Sequence, residues 1–164
     1  MQDRITKIRS KIEEGDQDVR WMKDLKNFLI DLADVYEATD SLDEMKEVLD
    51  ESLALAALLG RDDMKIAPLA SLAKHAYHSG DKIVALQHAE EAVALAREQK
   101  EVDTTRLAML LLYGGDLNVE LNNRERGLAQ ISEAVKIRTR VYGHDHMEVR
   151  QARGLLEHHE AREA

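Results

Sequence analysis

The sequence predicts an all-α fold, an α-solenoid of antiparallel helix pairs, and three observations carry that expectation. Good helix formers (Ala, Leu, Glu, Lys, Arg and Gln) dominate, and apolar residues recur at three- and four-residue steps. Turn signals are short, with a single proline among 164 residues. Three stretches of the chain also superimpose on one another without gaps. Many strands and β-turns are disfavoured, since aromatics make up only 4% and glycines number eight.

The elements follow in order. Ile5, Ile8 and Ile12 form a stripe on a first helix that stops at Gly15. The next runs from about Asp18 to Ala38 with Met22, Leu25, Leu29, Leu32 and Tyr36 inward. Thr39-Asp40-Ser41 is a turn, and Ser41 precedes Glu44 by the capping-box spacing. A helix follows to Leu59 and ends at Gly60, a left-handed position past the helix end. Asp62 or Asp63 caps the following helix, which stops at Ser79-Gly80. Pro68 falls in its second turn and predicts a kink or a later start. Asp81 starts a helix to about Lys100, and Asp103 or Thr104 opens one that reaches Leu121. Beyond Asn122-Asn123, Arg124 to Tyr142 is helical again. After Gly143-His144-Asp145-His146, a last helix carries Val149, Ala152, Leu155 and Leu156. Such short loops force consecutive helices to be antiparallel neighbours.

Composition narrows the function. Hydrophobic residues are 44% of the chain, and folding at this length hides roughly 70% of the unfolded surface, so a core is available. Without cysteine there is no disulfide, thiolate metal site or cysteine nucleophile. Acids outnumber bases 32 to 23, and the net charge of −9 gives no broad attraction to nucleic acid or anionic membrane. No apolar run approaches the ~18 residues of a membrane span, and residues 1–14 lack the apolar core of a signal peptide. The expected address is cytoplasmic.

The internal repeat sets the organisation. Leu32-Ala33-Asp34-Val35-Tyr36, Leu72-Ala73-Lys74-His75-Ala76 and Gly114-Gly115-Asp116-Leu117-Asn118 lie 40 and 42 residues apart. In each, a small residue (Ala33, Ala73, Gly115) stands twelve positions before a second contact residue (Met45, Ala85, Gly127). Between them falls a residue tolerant of left-handed backbone: Asp40, Gly80 or Asn122. Antiparallel helices approach closely only where both present small side chains.

On these residues the chain resembles the tetratricopeptide repeat (TPR) family. Leu72-Ala73, Gly80-Asp81, Ala85 and Ala92-Val93 look like its L-G/A, G-D, A and A-L signature, and Leu32-Ala33 with Tyr36 matches its first-helix pattern. The 40- and 42-residue offsets exceed the usual period of about 34 and resemble the longer kinesin-light-chain type. Ala134-Val135-Lys136-Ile137-Arg138 followed by Tyr142-Gly143-His144-Asp145-His146 is similar to the link of that type, with Met147 in place of proline. Met45, Ser52 and Gly114 also depart from the pattern. The resemblance implies one TPR-like domain over 1–164: an N-terminal capping helix (1–17), three repeats (18–60, 61–102, 103–143) and a C-terminal capping helix (144–164).

Catalytic chemistry finds little support, so an enzyme, a cofactor and a bound metal are not expected. His144-Asp145-His146 reads either as a weak metal site or as the inter-repeat link. His75 and His78 share a helical face without the adjacent glutamate and third ligand of a zinc protease. His158 and His159 point to different faces and are expected to be exposed. Gly114-Gly115 reads as close helix contact with Gly127 or as an open pocket for a partner's side chain.

In the family resembled, ligands lie along a concave groove formed by the first helix of each repeat. Carried across, that groove receives Asn27, Asp31, Asp34 and Glu37 from the first repeat. The second supplies Ser71, Lys74, Tyr77 and His78, and the third Tyr113, Asp116 and Glu120. The lysine and asparagine with which some members clamp a C-terminal carboxylate are absent near Ile30 and Asp34. Acid is abundant instead: Asp24 to Glu51 holds ten acidic residues against two lysines. The resulting expectation is a non-catalytic interaction or scaffold module that takes a basic or amphipathic peptide or helix of a protein partner. The alternative is a self-associating stack, a homo-oligomer assembled through an end cap or the groove. Sedimentation of the isolated chain separates the two, since a clean monomer removes the second.

Overall fold

A computed structural model describes residues 5–7, 9–10, 19–99 and 104–161. Seven α-helices have defined bounds among the described residues: α1 (Val19–Ala38), α2 (Leu42–Leu58), α3 (Ile66–His78), α4 (Lys82–Glu98), α5 (Thr104–Glu120), α6 (Arg124–Tyr142) and α7 (Met147–Ala161). Residues 5–7 and 9–10 are helical too, a 3-10 turn (Asp62–Met64) precedes α3, and the described residues contain no strand. The chain packs as two compact units, Met1–Gly80 and Asp81–Ala164.

The turns are made by residues that tolerate left-handed backbone. Asp40 (φ 57°), Gly80 (φ 85°) and Asn122 (φ 65°) all adopt it. Past Asp40 the Ser41 amide donates to the Tyr36 carbonyl at 2.9 Å, and past Asn122 the Asn123 amide donates to the Asn118 carbonyl at 2.7 Å. These bonds satisfy carbonyls that a helix end leaves without partners. Gly60 (φ 61°) closes α2 in the same way, with the Arg61 amide on the Ala56 carbonyl at 3.2 Å.

Helix starts are less uniform. Asp81 caps α4 through its carboxylate, which accepts from the Val84 amide at 3.0 Å. Ser41 occupies the capping position of α2 but makes no side-chain cap, and its hydroxyl lies 3.1 Å from that of Thr39. Neither Asp62 nor Asp63 caps α3, because both lie in the 3-10 turn and pair with Lys65 and Arg61, each at 2.7 Å. The Arg61 guanidinium hydrogen-bonded to Asp63 holds that carboxyl below the usual carboxylate range. The α-helix begins later, at Ile66, so Pro68 falls in the first turn, where its missing N–H breaks no helical bond.

In the first unit α1 packs on α2, and α2 on α3. Their buried faces carry Leu25, Leu29, Leu32, Ala33, Met45, Val48, Leu49 and Leu72, with Ile5 seated in the same cluster. A fully buried leucine contributes about 1.5–3 kcal/mol relative to exposure. Ile8 and Ile12, the rest of the first expected stripe, lie outside the described residues.

In the second unit the tightest contact is between α5 and α6. A Cβ on Gly115 would stand 2.7 Å from the Ile131 side chain and 2.9 Å from the Gly127 carbonyl oxygen. One on Gly127 would meet the Gly115 carbonyl oxygen and the Val119 side chain, each at 2.6 Å. Close packing is therefore the reading of Gly115 that the structure selects. Gly114 differs: a Cβ there would meet only Ala89 and Gln130, at 3.8 and 3.9 Å. One turn on, fully buried Asn118 donates to the Gly114 carbonyl at 3.1 Å and to Gln130 of α6 at 2.9 Å, and lies 3.3 Å from Glu90 of α4. Helix α7 buries Val149 and Ala152, and Arg138 of α6 reaches both the Glu148 carbonyl (3.0 Å) and its carboxylate (2.8 Å). Among the described residues no helix is long and apolar enough to cross a membrane.

The two adjacent glycines give opposite expectations. Gly115→Ala should lower the urea-unfolding free energy by about 1–3 kcal/mol through overpacking. Gly114→Ala should raise it by about 0.5–1 kcal/mol, because it removes backbone freedom without a clash. Equal effects of the two would show that the helix contact does not discriminate between them.

Candidate functional site

The inward stripe of α1 decides what its other face presents. Asn27, Asp31 and Asp34, spaced four and three residues apart, are exposed on it. One turn on, Glu37 is half-buried and receives Lys74 of α3 at 2.6 Å, with His78 at 3.6 Å. The structure thus brings Glu37, Lys74 and His78 together, while half-buried Tyr77 stands edge-on to His78 at 6.2 Å between ring centres. His75 faces inward, and its Nε2 lies 2.8 Å from the Leu42 carbonyl, tying α3 to the start of α2.

The three residues expected on α5 meet different surroundings. Tyr113 is half-buried. Glu120 pairs with Lys82 of α4 at 3.2 Å. Asp116 lies 2.6 Å from Nε2 of His159 on α7. The expectation of an exposed His159 is overturned, since it is only 3% exposed. The signal was present in the sequence: Val149, Ala152, Leu156 and His159 follow one another at three, four and three residues, a single helical stripe. A stripe counted from apolar residues alone ends at Leu156, one turn short of His159.

A second feature escaped the sequence reading. On the first unit, Glu44, Glu47 and Glu51 of α2 rim a depression of about 370 Å³ whose apolar lining includes Leu32, Tyr36 and Val48. Arg9 grips both carboxylate oxygens of Glu51, with Nε at 2.8 Å. The acidic bias of this stretch was legible, but the concavity depends on where Ile5 and Arg9 pack.

The histidine loop is internally engaged. His146 stacks on Tyr142 with ring centres 4.7 Å apart and accepts from the Glu148 amide at 3.2 Å, and Nδ1 of His144 lies 2.9 Å from the Arg153 guanidinium. Among the described residues there is no group of three His, Asp or Glu side chains that could hold a metal ion. The exposed carboxylates of α1 and α2 are suited to pairing with cations.

No protein-family profile matches the chain. No curated protein matches it in sequence either. Solved structures do match in fold. BtubC (BKLC) from P. vanneervenii superimposes with a TM-score of 0.77 at 18% identity, over 99% of this chain and 66% of that one. This chain therefore spans slightly less than two thirds of that protein. A kinesin light chain TPR-like repeat protein from P. anserina, with nearly identical repeats, superimposes with a TM-score of 0.64 at 15% identity, over 98% of this chain and 92% of that one. The fold is that of the TPR-like helical repeats.

The buried His159–Asp116 contact yields a stability expectation. Asp116→Ala leaves a buried imidazole without its partner and should cost about 1–3 kcal/mol in urea unfolding. Glu120→Ala removes half of a partly exposed ion pair and should cost less than about 1 kcal/mol. Comparable losses for the two would mean that the buried contact has no special weight.

Proposed function

We propose that the chain is a non-catalytic interaction module of the cytoplasm that holds a basic or amphipathic segment of a protein partner. The observation that carries this reading is the row Asn27, Asp31 and Asp34, exposed on α1 within a stretch of ten acids and two lysines. Glu37, Lys74, Tyr77 and His78 adjoin that row in the reading. Its support from the fold is general: helical repeats present extended surfaces suited to peptide recognition. Tyr113, Asp116 and Glu120 carry less of it, because Asp116 and Glu120 already engage His159 and Lys82. A partner's lysine or arginine laid along α1 would gain charge complementarity, which chiefly speeds encounter and sets orientation.

A fluorescent amphipathic peptide of alternating lysine and leucine helical faces tests the proposal by anisotropy. Its affinity should fall at least about tenfold between 50 and 500 mM salt, as expected for exposed charges beyond a Debye length. Asp31→Lys with Asp34→Lys, both at exposed positions, should weaken it comparably and flatten the salt dependence. An affinity indifferent to salt, or unchanged in the double variant, sinks the reading.

A further inference from the structure

In the second unit α5 and α6 each pack against a helix on both sides, whereas α7 packs on α6, touches α5 and has no described helix after it. Its inward stripe is Val149, Ala152 and His159. A second stripe, Met147, Gln151, Gly154, His158 and Ala161, runs along it at steps of four and three residues, and every member is exposed. Met147 at its head is 57% exposed, which leaves apolar surface open. Gly154 lies at the middle, seven residues from either end. Glycine inside a helix is costly relative to alanine, and the fold gains no packing contact from this one, because a Cβ there would meet no neighbouring group within 4 Å. Where the same chain has glycines facing each other, at Gly115 and Gly127, they let two helix axes approach closely. Arg150 and Glu157 are exposed on one flank of the stripe, seven residues apart, and neither side chain has an ion pair or hydrogen bond among the described residues.

We propose that this face of α7 docks antiparallel on the same face of a second copy of the chain. The occupant follows from charge, because the face is its own complement. In an antiparallel helix pair like flanks meet, so each Arg150 lies against Glu157 of the other copy, and the two pairings occur together. A parallel pair brings opposite flanks together and leaves Arg150 without Glu157. A two-fold axis through Gly154 makes the contact isologous, with residue i on j and j on i. Met147 then lies over Ala161 of the second copy, a large apolar side chain on a small one. Glycine opposite glycine draws the two axes together at the centre, as Gly115 and Gly127 do within one chain. The proposal uses none of the residues of α1 or α3 and stands apart from the peptide-binding reading.

Analytical ultracentrifugation of the full chain tests this, from about 10 μM to about 1 mM, the range expected of a small interface. A monomer–dimer equilibrium is expected. Gly154→Gln places a side chain where the monomer has room and the dimer has none, so it should remove the dimer while circular dichroism shows the helices intact. Arg150→Glu and Glu157→Arg, each alone, set like charges against each other twice and should weaken association at least about tenfold. An equimolar mixture of those two single variants should restore it, because every contact is again between opposite charges. Asp31→Lys with Asp34→Lys, on α1, should leave dimerisation unchanged. A monomer throughout the range, a dimer that survives Gly154→Gln, or a mixture that fails to recover overturns the proposal. Association lost only in the Asp31/Asp34 variant overturns it too, since the contact then lies on α1.

Discussion

Helices poor in aromatic side chains bury enough apolar surface only if their axes come close, and close approach requires small residues on both sides of the contact. In the second unit this constraint is nearly absolute. The backbones at Gly115 and Gly127 leave no room for a Cβ on either, and Ile131 and Val119 fill the remaining space. Fully buried alanines extend the same solution along α4, with Ala85, Ala89 and Ala92. The first unit uses Ala33 of α1 with Met45 of α2, where a flexible thioether replaces the second small residue. Once the axes are this close, dispersion contacts among leucines stabilise the helix pairs. The polar groups at the seam find partners locally, as the Asn118 side-chain N–H groups do in the Gly114 carbonyl and Gln130.

Charge is organised around that packing. Lys74–Glu37 links helices of the first unit, and Arg126–Glu90, Arg97–Glu133 and Lys82–Glu120 link helices of the second. Each such surface pair is worth about 0–1 kcal/mol, so their main consequence is orientation and specificity. They also remove charge from the surface available to partners. A net charge of −9 spread over the whole chain would say little about function. Concentrated on α1 and α2, with Asp31 and Asp34 exposed, it becomes a surface of definite sign.

The turn chemistry was legible because it is local. A residue of positive φ needs only its own side chain and its neighbours, so Asp40, Gly80 and Asn122 could be placed from spacing alone. Helix starts at Ser41 and Asp62 were less legible. A hydroxyl or carboxylate there has several partners within reach, and Thr39, Lys65 and Arg61 outcompete the helix amides. The candidate residues divide along the same line. The exposure of Asn27, Asp31 and Asp34 follows from one amphipathic helix, but the capture of Glu37 by Lys74 and of Asp116 by His159 requires knowing which helices pack together.

The sequence by itself determined the all-α class, the helix bounds to within a few residues, the turns and the inward stripe of α1, since these depend on periodicity and backbone sterics within a dozen residues. Only the tertiary structure decided that Gly115 is a packing contact while Gly114 has room for a methyl group, that His159 is buried against Asp116, and that Arg9 meets Glu51. Each of these joins residues from separate helices, and the distance between them is set by how closely two axes approach, a quantity no local pattern encodes.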